Sequence, residues 1–177
     1  MVLARLFVGR DIREHGSGNI GAANVSSAAG LPLGIAVGVL DMLKGLVAVL
    51  LGRHLGLHPA GLAMVALAAV LGHNFSIFLR FRGGKGVATS FGVALGLTPA
   101  AAVLAMLSWL VGTLGLGYAS AGSLLALGLL PVFMAITRQD PSFVVLGIVL
   151  FVLAASKHWE NILRLMHGKE PRIKRPW

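Results

Sequence analysis

The sequence contains no cysteine, one tyrosine and only six acidic residues among 177. The absence of cysteine excludes disulfide bonds and thiol chemistry. With one tyrosine and only 7% aromatic residues, the chain also lacks the stacking platform of a nucleic-acid-binding protein. The net charge of +9 therefore needs another explanation.

Apolar residues dominate this chain. It is 56% hydrophobic and 12% charged, with a mean hydropathy of +0.86. A soluble protein of this size cannot bury so much apolar surface, so lipid is expected to solvate much of it. Open strands cannot span lipid, and the length suits one domain. We therefore predict a single membrane-embedded domain over residues 1–177, an all-α polytopic helix bundle.

The apolar residues form five long runs separated by short polar islands. The runs are Leu31–Gly52, Ala60–Leu79, Phe91–Gly112, Ala119–Ile136 and Phe143–Ser156. The positive-inside rule places three polar segments on the cytoplasmic side: the first island, at residues 10–14, the island at residues 80–85 and the basic C-terminal tail. We predict about six transmembrane helices.

This sidedness requires an odd number of crossings between residues 91 and 138, where only two runs are visible. Three short helices, or one span with a re-entrant piece, satisfy the requirement. The residues expected to supply the breaks are Gly112, Gly115, Gly117, Gly122 and Pro131.

The chain begins with a short apolar segment, Met1–Gly9, interrupted only by Arg5. Nine helical residues reach about 14 Å, about half of a bilayer core. We interpret the segment as the end of a helix whose beginning is absent.

A glycine–lysine loop follows the second run, within GHNFSIFLRFRGGKGVAT at Gly72–Thr89. Glycines at 83, 84 and 86 give a backbone that can turn several N–H groups toward one point. Lys85 adds a compact positive charge, which suits a phosphate oxygen. The alternative is a flexible basic loop that contacts anionic lipid headgroups.

A second glycine-rich segment, EHGSGNIGAANV, lies near the N-terminus. Its glycines permit close approach of the backbone to a ligand, and Ser17, Asn19 and Asn24 offer hydrogen-bond partners for hydroxyls and phosphate oxygens. A turn followed by a helix cap uses the same residue types.

Asp41 and Lys44 lie three residues apart in the first apolar run and so share a helix face. Charges at this depth usually face the bundle interior and pair with each other. They form either a structural ion pair or, through Lys44, positive potential below a phosphate pocket.

Near the C-terminus, His158 and Asn161 also share a helix face and offer a titratable nitrogen and an amide to one spot. A basic amphipathic helix on the lipid surface is the alternative. Glu170 is predicted to tie the tail to a cationic loop. His54 and His58 are four residues apart but lack a neighbouring carboxylate, so we predict no metal site there.

Four segments together resemble the bacterial acyl-phosphate–glycerol-3-phosphate acyltransferase (PlsY) family. They are SGNIGAAN at Ser17–Asn24, DMLKG at Asp41–Gly45, GHNFSIFLRFRGGKGVAT at Gly72–Thr89 and HWENILRLMHGKE at His158–Glu170. They occur in the order and at the spacing of the family, over essentially the whole chain.

The resemblance implies a seven-helix bundle that transfers a fatty acyl group from acyl phosphate to the 1-hydroxyl of glycerol 3-phosphate. The products would be lysophosphatidic acid and phosphate. It implies catalytic roles for Ser17, Lys85, His158 and Asn161. Substrate contacts are predicted at Gly18, Asn19, Gly21, Asn24, Lys44, His73, Asn74, Gly83, Gly84, Gly86 and Thr89, and structural roles at Asp41 and Glu170.

No cofactor, metal, nucleic acid or obligate protein partner is expected; the partners are the two substrates and membrane lipid. The resemblance also implies the inner membrane of a bacterial cell, with the active site and the C-terminus toward the cytoplasm.

Two features depart from the family pattern. The family has a full first helix where this chain has Met1–Gly9, and it carries an arginine where this chain has Ser27. Losing one charge-assisted phosphate contact costs about 1.5–3 kcal/mol. One alternative is therefore a weakened paralogue that binds phosphate or lipid without turnover. A channel lined by Asp41 and Lys44 is a third reading, which the clustering of the polar motifs on one face opposes.

Overall fold

The computed structural model describes residues 12–14, 18–137 and 139–173. This part of the chain is helical and contains no strand, which confirms the predicted all-α class. The α-helices are α1 Ala22–Ala29, α2 Leu31–His54, α3 Pro59–Asn74, α4 Val87–Leu97, α5 Pro99–Leu116, α6 Ala119–Ile136, α7 Pro141–Lys157 and α8 Trp159–Met166. Two 3-10 turns cover Ile12–Glu14 and Ile77–Leu79. The predicted N-terminal helix remnant lies outside the described residues.

Most of these helices are long and apolar enough to cross a membrane. Within the described ranges, α2, α3 with its following turn, α5 and α6 each qualify alone, and α7 and α8 qualify only as a pair, which is bent by 66°. Helix α4 is apolar but shorter than these spans, with 11 residues. Large apolar side chains such as Leu51 and Val111 are exposed on their outer faces, as expected for contact with lipid. The protein is a multi-span integral membrane protein.

The run Phe91–Gly112 does not form one helix, contrary to the simplest interpretation of its hydropathy. The chain breaks at Thr98, and Pro99 begins α5, since proline is tolerated at the first helical position but cannot continue a helix. The region therefore contains three helices, one of the two arrangements expected.

Among the residues expected to break the helices, only Gly117 does so: it ends α5 at φ 79°. Gly112 and Gly122 instead face each other where α5 and α6 pack closely. Pro131 lies inside α6, where Gly147 of α7 contacts it.

Close glycine contacts set the depth at which the polar residues meet. Gly45 of α2 packs on Thr89, and Gly92 of α4 packs on Met42, so α4 begins beside the middle of α2. Helix α3 runs back along α2 from its far end and finishes at the same level. Both ends of the glycine–lysine loop are thereby held beside Asp41.

Candidate active site

Lys85 is the centre of a hydrogen-bonded polar cluster. Its ammonium donates to Asn161 Oδ1 on α8, and Asn161 Nδ2 donates to Glu170 Oε1 at 2.6 Å. Because a carboxylate only accepts, Glu170 fixes the amide of Asn161 with its oxygen toward Lys85. The Glu170 carboxylate therefore orients the Asn161 amide, which in turn accepts from the Lys85 ammonium.

Glu170 joins the tail to two helices. Besides Asn161, it accepts from Ser120 Oγ at the start of α6 (2.6 Å) and from Arg164 Nε of α8 (2.8 Å). Burial opposes ionisation of the carboxyl, but these hydrogen bonds and the charge of Arg164 outweigh it and lower its pKa. The carboxylate is thus charged at neutral pH. Its hydrogen bonds connect the C-terminal tail to α6 and α8.

The side-chain amino group of Lys85 is less easily protonated than that of a lysine in solvent. Burial lowers the pKa of Lys85, and attraction to the Glu170 carboxylate opposes the effect only in part. A lysine taken out of water in this way keeps few water partners. Its charge is available to an anion that enters the cluster.

His158 occupies the bend between α7 and α8 and is only 3% exposed. Its Nδ1 lies 2.7 Å from the carbonyl oxygen of Ala154. A carbonyl only accepts, so Nδ1 carries the proton, and the neutral ring presents Nε2 as an acceptor. Asn161 lies three residues further along α8, on the same face. The pairing predicted from sequence is therefore present, although the helix begins only at Trp159.

The glycine–lysine loop packs tightly on the end of α3. Gly83 N–H donates to Asn74 O and Gly84 N–H donates to His73 O, each at 3.2 Å. A side chain at Gly84 would collide with the His73 ring, and Gly86 adopts φ +77° beside Asn74 Oδ1. Glycine is required at these positions primarily because the backbone packs closely there.

A phosphate at this loop would have fewer backbone donors than the sequence suggests. The N–H groups of Gly83 and Gly84 are already bonded. Within the described ranges, the backbone N–H groups of Lys85 and Gly86 have no bonded acceptor. The phosphate cradle stays a prediction, for which the N–H groups of Lys85 and Gly86 are the donors that this loop supplies.

Asn74 and Thr89 lie behind the loop and are both completely buried. The Asn74 amide and the Thr89 hydroxyl have no hydrogen-bond partner in the described part of the protein. Buried polar groups usually hold a partner, often a water. Both residues, predicted as substrate contacts, are placed where they support the loop from inside.

Asp41, Lys44 and His73 form a second polar cluster on the other side of the loop. Lys44 Nζ lies 2.6 Å from Asp41 Oδ1 and 3.0 Å from His73 Nδ1. Asp41 and Lys44 thus form an ion pair, one of the two alternatives considered from the helix spacing. These residues line a cavity of about 490 Å³ whose other walls, including Ile20 and Phe78, are mainly apolar.

The N-terminal motif folds upon itself. Asn19 Oδ1 accepts from Gly21 N–H at 2.8 Å, and Asn24 Nδ2 donates to Asn19 O (2.8 Å) and Ile12 O (3.1 Å). Gly18 has a φ of +68°, which favours glycine. These contacts are those of a turn that leads into α1, and a turn is the alternative considered for this segment. Ser17 lies outside the described residues, so its predicted role stays a prediction.

The structure thus brings Lys85, His158, Asn161 and Glu170 together, with Asp41, Lys44 and His73 on the far side of the loop. Sequence reasoning missed Ser120 and Arg164, which donate to Glu170, and Lys157, which donates to Asn74 O. A lone serine at the start of an apolar helix gives little signal, whereas Lys157 directly precedes the motif at His158–Glu170 and Arg164 lies within it. His58 caps α3 by accepting from Gly61 N–H at 3.3 Å, and the described residues hold no group of three metal-ligating side chains.

Comparisons with known proteins identify the family of this chain. The model of the glycerol-3-phosphate acyltransferase family matches residues 1–168. The glycerol-3-phosphate acyltransferase of Geobacter sulfurreducens is 47% identical over 98% of this chain and 89% of its own. That of Geotalea daltonii is 41% identical over 95% of this chain and 87% of its own.

Two solved structures are similar over 98% of this chain and 86% of theirs. Both are of PlsY (YgiH), an integral membrane glycerol 3-phosphate acyltransferase. The glycerol 3-phosphate form has a TM-score of 0.92 at 38% identity. The lysophosphatidic acid form has a TM-score of 0.90 at 37% identity.

Proposed function

Because this chain belongs to the glycerol-3-phosphate acyltransferase family, we propose that it transfers a fatty acyl group from an acyl phosphate to the 1-hydroxyl of glycerol 3-phosphate. The observation that carries the proposal is the Lys85 ammonium, held by Asn161 beside His158. The acceptor and the product are supported by the forms in which similar PlsY structures were solved. The acyl phosphate donor rests on the sequence resemblance and on the chemistry below.

The reaction needs positioning more than a strong nucleophile. The 1-hydroxyl oxygen attacks the acyl carbonyl carbon, the resulting oxyanion collapses, and the bond from that carbon to the phosphate oxygen breaks. Phosphate is a good leaving group, so no enzyme thiolate or serine ester is required. The protein contributes alignment and stabilisation of negative charge. Lys85 supplies that charge stabilisation in a partly buried site.

The hydroxyl proton has two candidate acceptors. His158 presents Nε2 as a neutral acceptor, because its Nδ1 is bonded to Ala154 O. A phosphate oxygen of a substrate is the other acceptor. Replacing His158 with glutamine distinguishes the two acceptors. Loss of the acidic limb of the pH profile of kcat would assign proton acceptance to His158. Retention of that limb would assign it to a substrate phosphate.

The charge distribution supports a cytoplasmic active site in a bacterial inner membrane, with the C-terminus on the same side. The site end of the bundle carries Arg80, Arg82, Lys157, Arg164 and Lys169, whereas the opposite end carries Arg53 near the end of α2. The positive-inside rule assigns the more basic end to the cytoplasm.

The donor is tested with radiolabelled glycerol 3-phosphate and purified protein in lipid. Labelled lysophosphatidic acid is expected with palmitoyl phosphate. Transfer from palmitoyl coenzyme A at an equal or higher rate would overturn the donor assignment.

A second candidate is a phosphate- or lipid-binding paralogue without turnover, and Ser27 is the observation that favours it. Ser27 is exposed on α1, where the family carries an arginine. If the missing charge limits the enzyme, Ser27→Arg raises kcat/KM by about tenfold or more, the value of one charge-assisted contact. An inactive protein that stays inactive with Ser27→Arg would favour the second candidate.

A further inference from the structure

Lys157 ends α7 immediately before His158, and its side chain reaches another part of the fold. Lys157 Nζ donates to Asn74 O at 3.2 Å, across 83 positions of sequence. The same ammonium lies 4.1 Å from the centre of the Phe75 ring, a cation–π contact. A half-buried lysine is thereby fixed at the end of α3.

The acceptor of this bond is shared with the glycine–lysine loop. Asn74 O also accepts from Gly83 N–H at 3.2 Å. Asn74 is the last residue of α3, and Lys157 is the last residue of α7. Each helix has its negative dipole end there, and a cation between two such ends is favourable. Lys157 thus joins two helix ends and the start of the loop.

These contacts close a ring around the reacting groups. From Asn74 the ring passes to Gly83, along the chain to Lys85, across to Asn161, back along α8 to His158 and so to Lys157. Within the described residues, the other hydrogen bond between the Lys85 loop and the His158 bend is the side-chain contact of Lys85 with Asn161. Helices α7 and α8 meet at an angle of 66°, and Glu170 connects α8 to the start of α6.

From this ring we propose that Lys157 is a positioning residue, which sets the distance and angle between Lys85 on the loop and His158 on the bend. The inference rests on the proposed acyl transfer for its kinetic consequence, but the mechanical link stands on the contacts alone. Lys157 acts through the carbonyl of Asn74 and so is not assigned a contact with either substrate.

The kinetic test compares Lys157→Met, Lys157→Arg and the matched control Lys169→Met. Lys169 is exposed in the same basic tail, so its loss removes the same charge without removing the link. In Lys157→Met we expect kcat to fall about 10- to 100-fold, the scale on which misplaced reacting groups lose rate. KM for glycerol 3-phosphate should change less than about threefold, since Lys85 still binds phosphate. Lys157→Arg should restore most of kcat, and Lys169→Met should retain it.

A structural readout makes the test independent of activity. The chain has no cysteine, so Ile77→Cys and Met166→Cys, both at exposed positions, accept two spin labels without background. The distance distribution between the labels should broaden in Lys157→Met and narrow again in Lys157→Arg.

Three results would overturn the proposal. Lys157→Met with unchanged kcat shows that the link is not needed, and a raised KM with unchanged kcat shows a direct substrate contact. An unbroadened distance distribution shows that other contacts hold the two elements together. If the parent protein has no acyltransferase activity, the proposed function fails, while the label distances still decide the mechanical link.

Discussion

At Lys85, burial and hydrogen bonding act on the same ammonium group. Burial lowers its pKa, whereas Asn161 and Glu170 hold it in place. A charge prepared in this way needs little reorganisation when a phosphate arrives. Changes at Lys85 should therefore alter the chemistry most directly.

Lys85→Met should lower kcat/KM for glycerol 3-phosphate by about 10- to 150-fold or more, because one charge-assisted contact contributes about 1.5–3 kcal/mol. Steady-state kinetics in lipid measures it, with Lys169→Met as the charge-matched control. The helical content should stay at the wild-type value, since methionine fills the same stem volume. Near-normal kinetics in Lys85→Met would contradict the assignment.

The lowered pKa of Lys85 predicts an alkaline limit. As pH rises through that pKa, the ammonium loses its proton and its attraction for phosphate, so KM for glycerol 3-phosphate increases. The increase should begin well below about 10.4, the ordinary pKa of lysine. KM measured across alkaline pH checks this, and a KM that stays constant up to about pH 10 would show that the charge of Lys85 does not bind the substrate.

Sequence reasoning reached Lys85, His158, Asn161 and Glu170 because each lies in a short motif with characteristic polar residues. It did not reach Ser120, since the partner of an isolated serine depends on tertiary packing. Asn74 and Thr89, whose substrate contacts stay a prediction, lie completely buried behind the loop, a placement that their motif does not indicate. Residue type indicates which chemistry is possible, but burial depends on packing that one segment does not specify.

At the scale of elements, the glycine–lysine loop is a packed connection between α3 and α4. A side chain at Gly84 would meet the His73 ring, whereas one at Gly72 would meet open space. The two glycines therefore offer a matched pair, twelve positions apart in one motif.

Gly84→Ala should disturb the loop by about 1–3 kcal/mol, the usual cost of overpacking, and lower acyl transfer correspondingly. Gly72→Ala should leave activity unchanged and stabilise α3 by about 0.5–1 kcal/mol. Activity together with thermal unfolding in detergent measures both effects. Equal activity in the two variants would show that the contact of Gly84 with His73 is not needed.

Element boundaries were predictable where proline and glycine act locally, as at Gly117. The break at Thr98 was missed because hydropathy continues unchanged through it, and Pro99 was read as part of one run. The half-length α4 could not be predicted from its sequence, since its position depends on close contact with α2 through Gly45 and Gly92.

At the scale of the whole molecule, the polar residues gather at one end of an apolar bundle. The apolar composition predicted the bundle, and the basic islands predicted one common face. Sidedness itself is a proposal, and cysteine labelling tests it because the chain has no cysteine of its own.

Met166→Cys and Leu55→Cys are both exposed, at 77% and 75%, at opposite ends of the bundle. In intact bacterial cells, a membrane-impermeant maleimide should label Leu55→Cys and spare Met166→Cys until the membrane is opened. The reverse pattern would place the active site outside.

The most direct measurement is phosphate release from palmitoyl phosphate by the purified protein in lipid, with and without glycerol 3-phosphate. Release should depend on glycerol 3-phosphate, match lysophosphatidic acid one to one, and fall by about tenfold or more in Lys85→Met. Release that does not depend on glycerol 3-phosphate, or that stays near the wild-type rate in Lys85→Met, would contradict acyl transfer at this site.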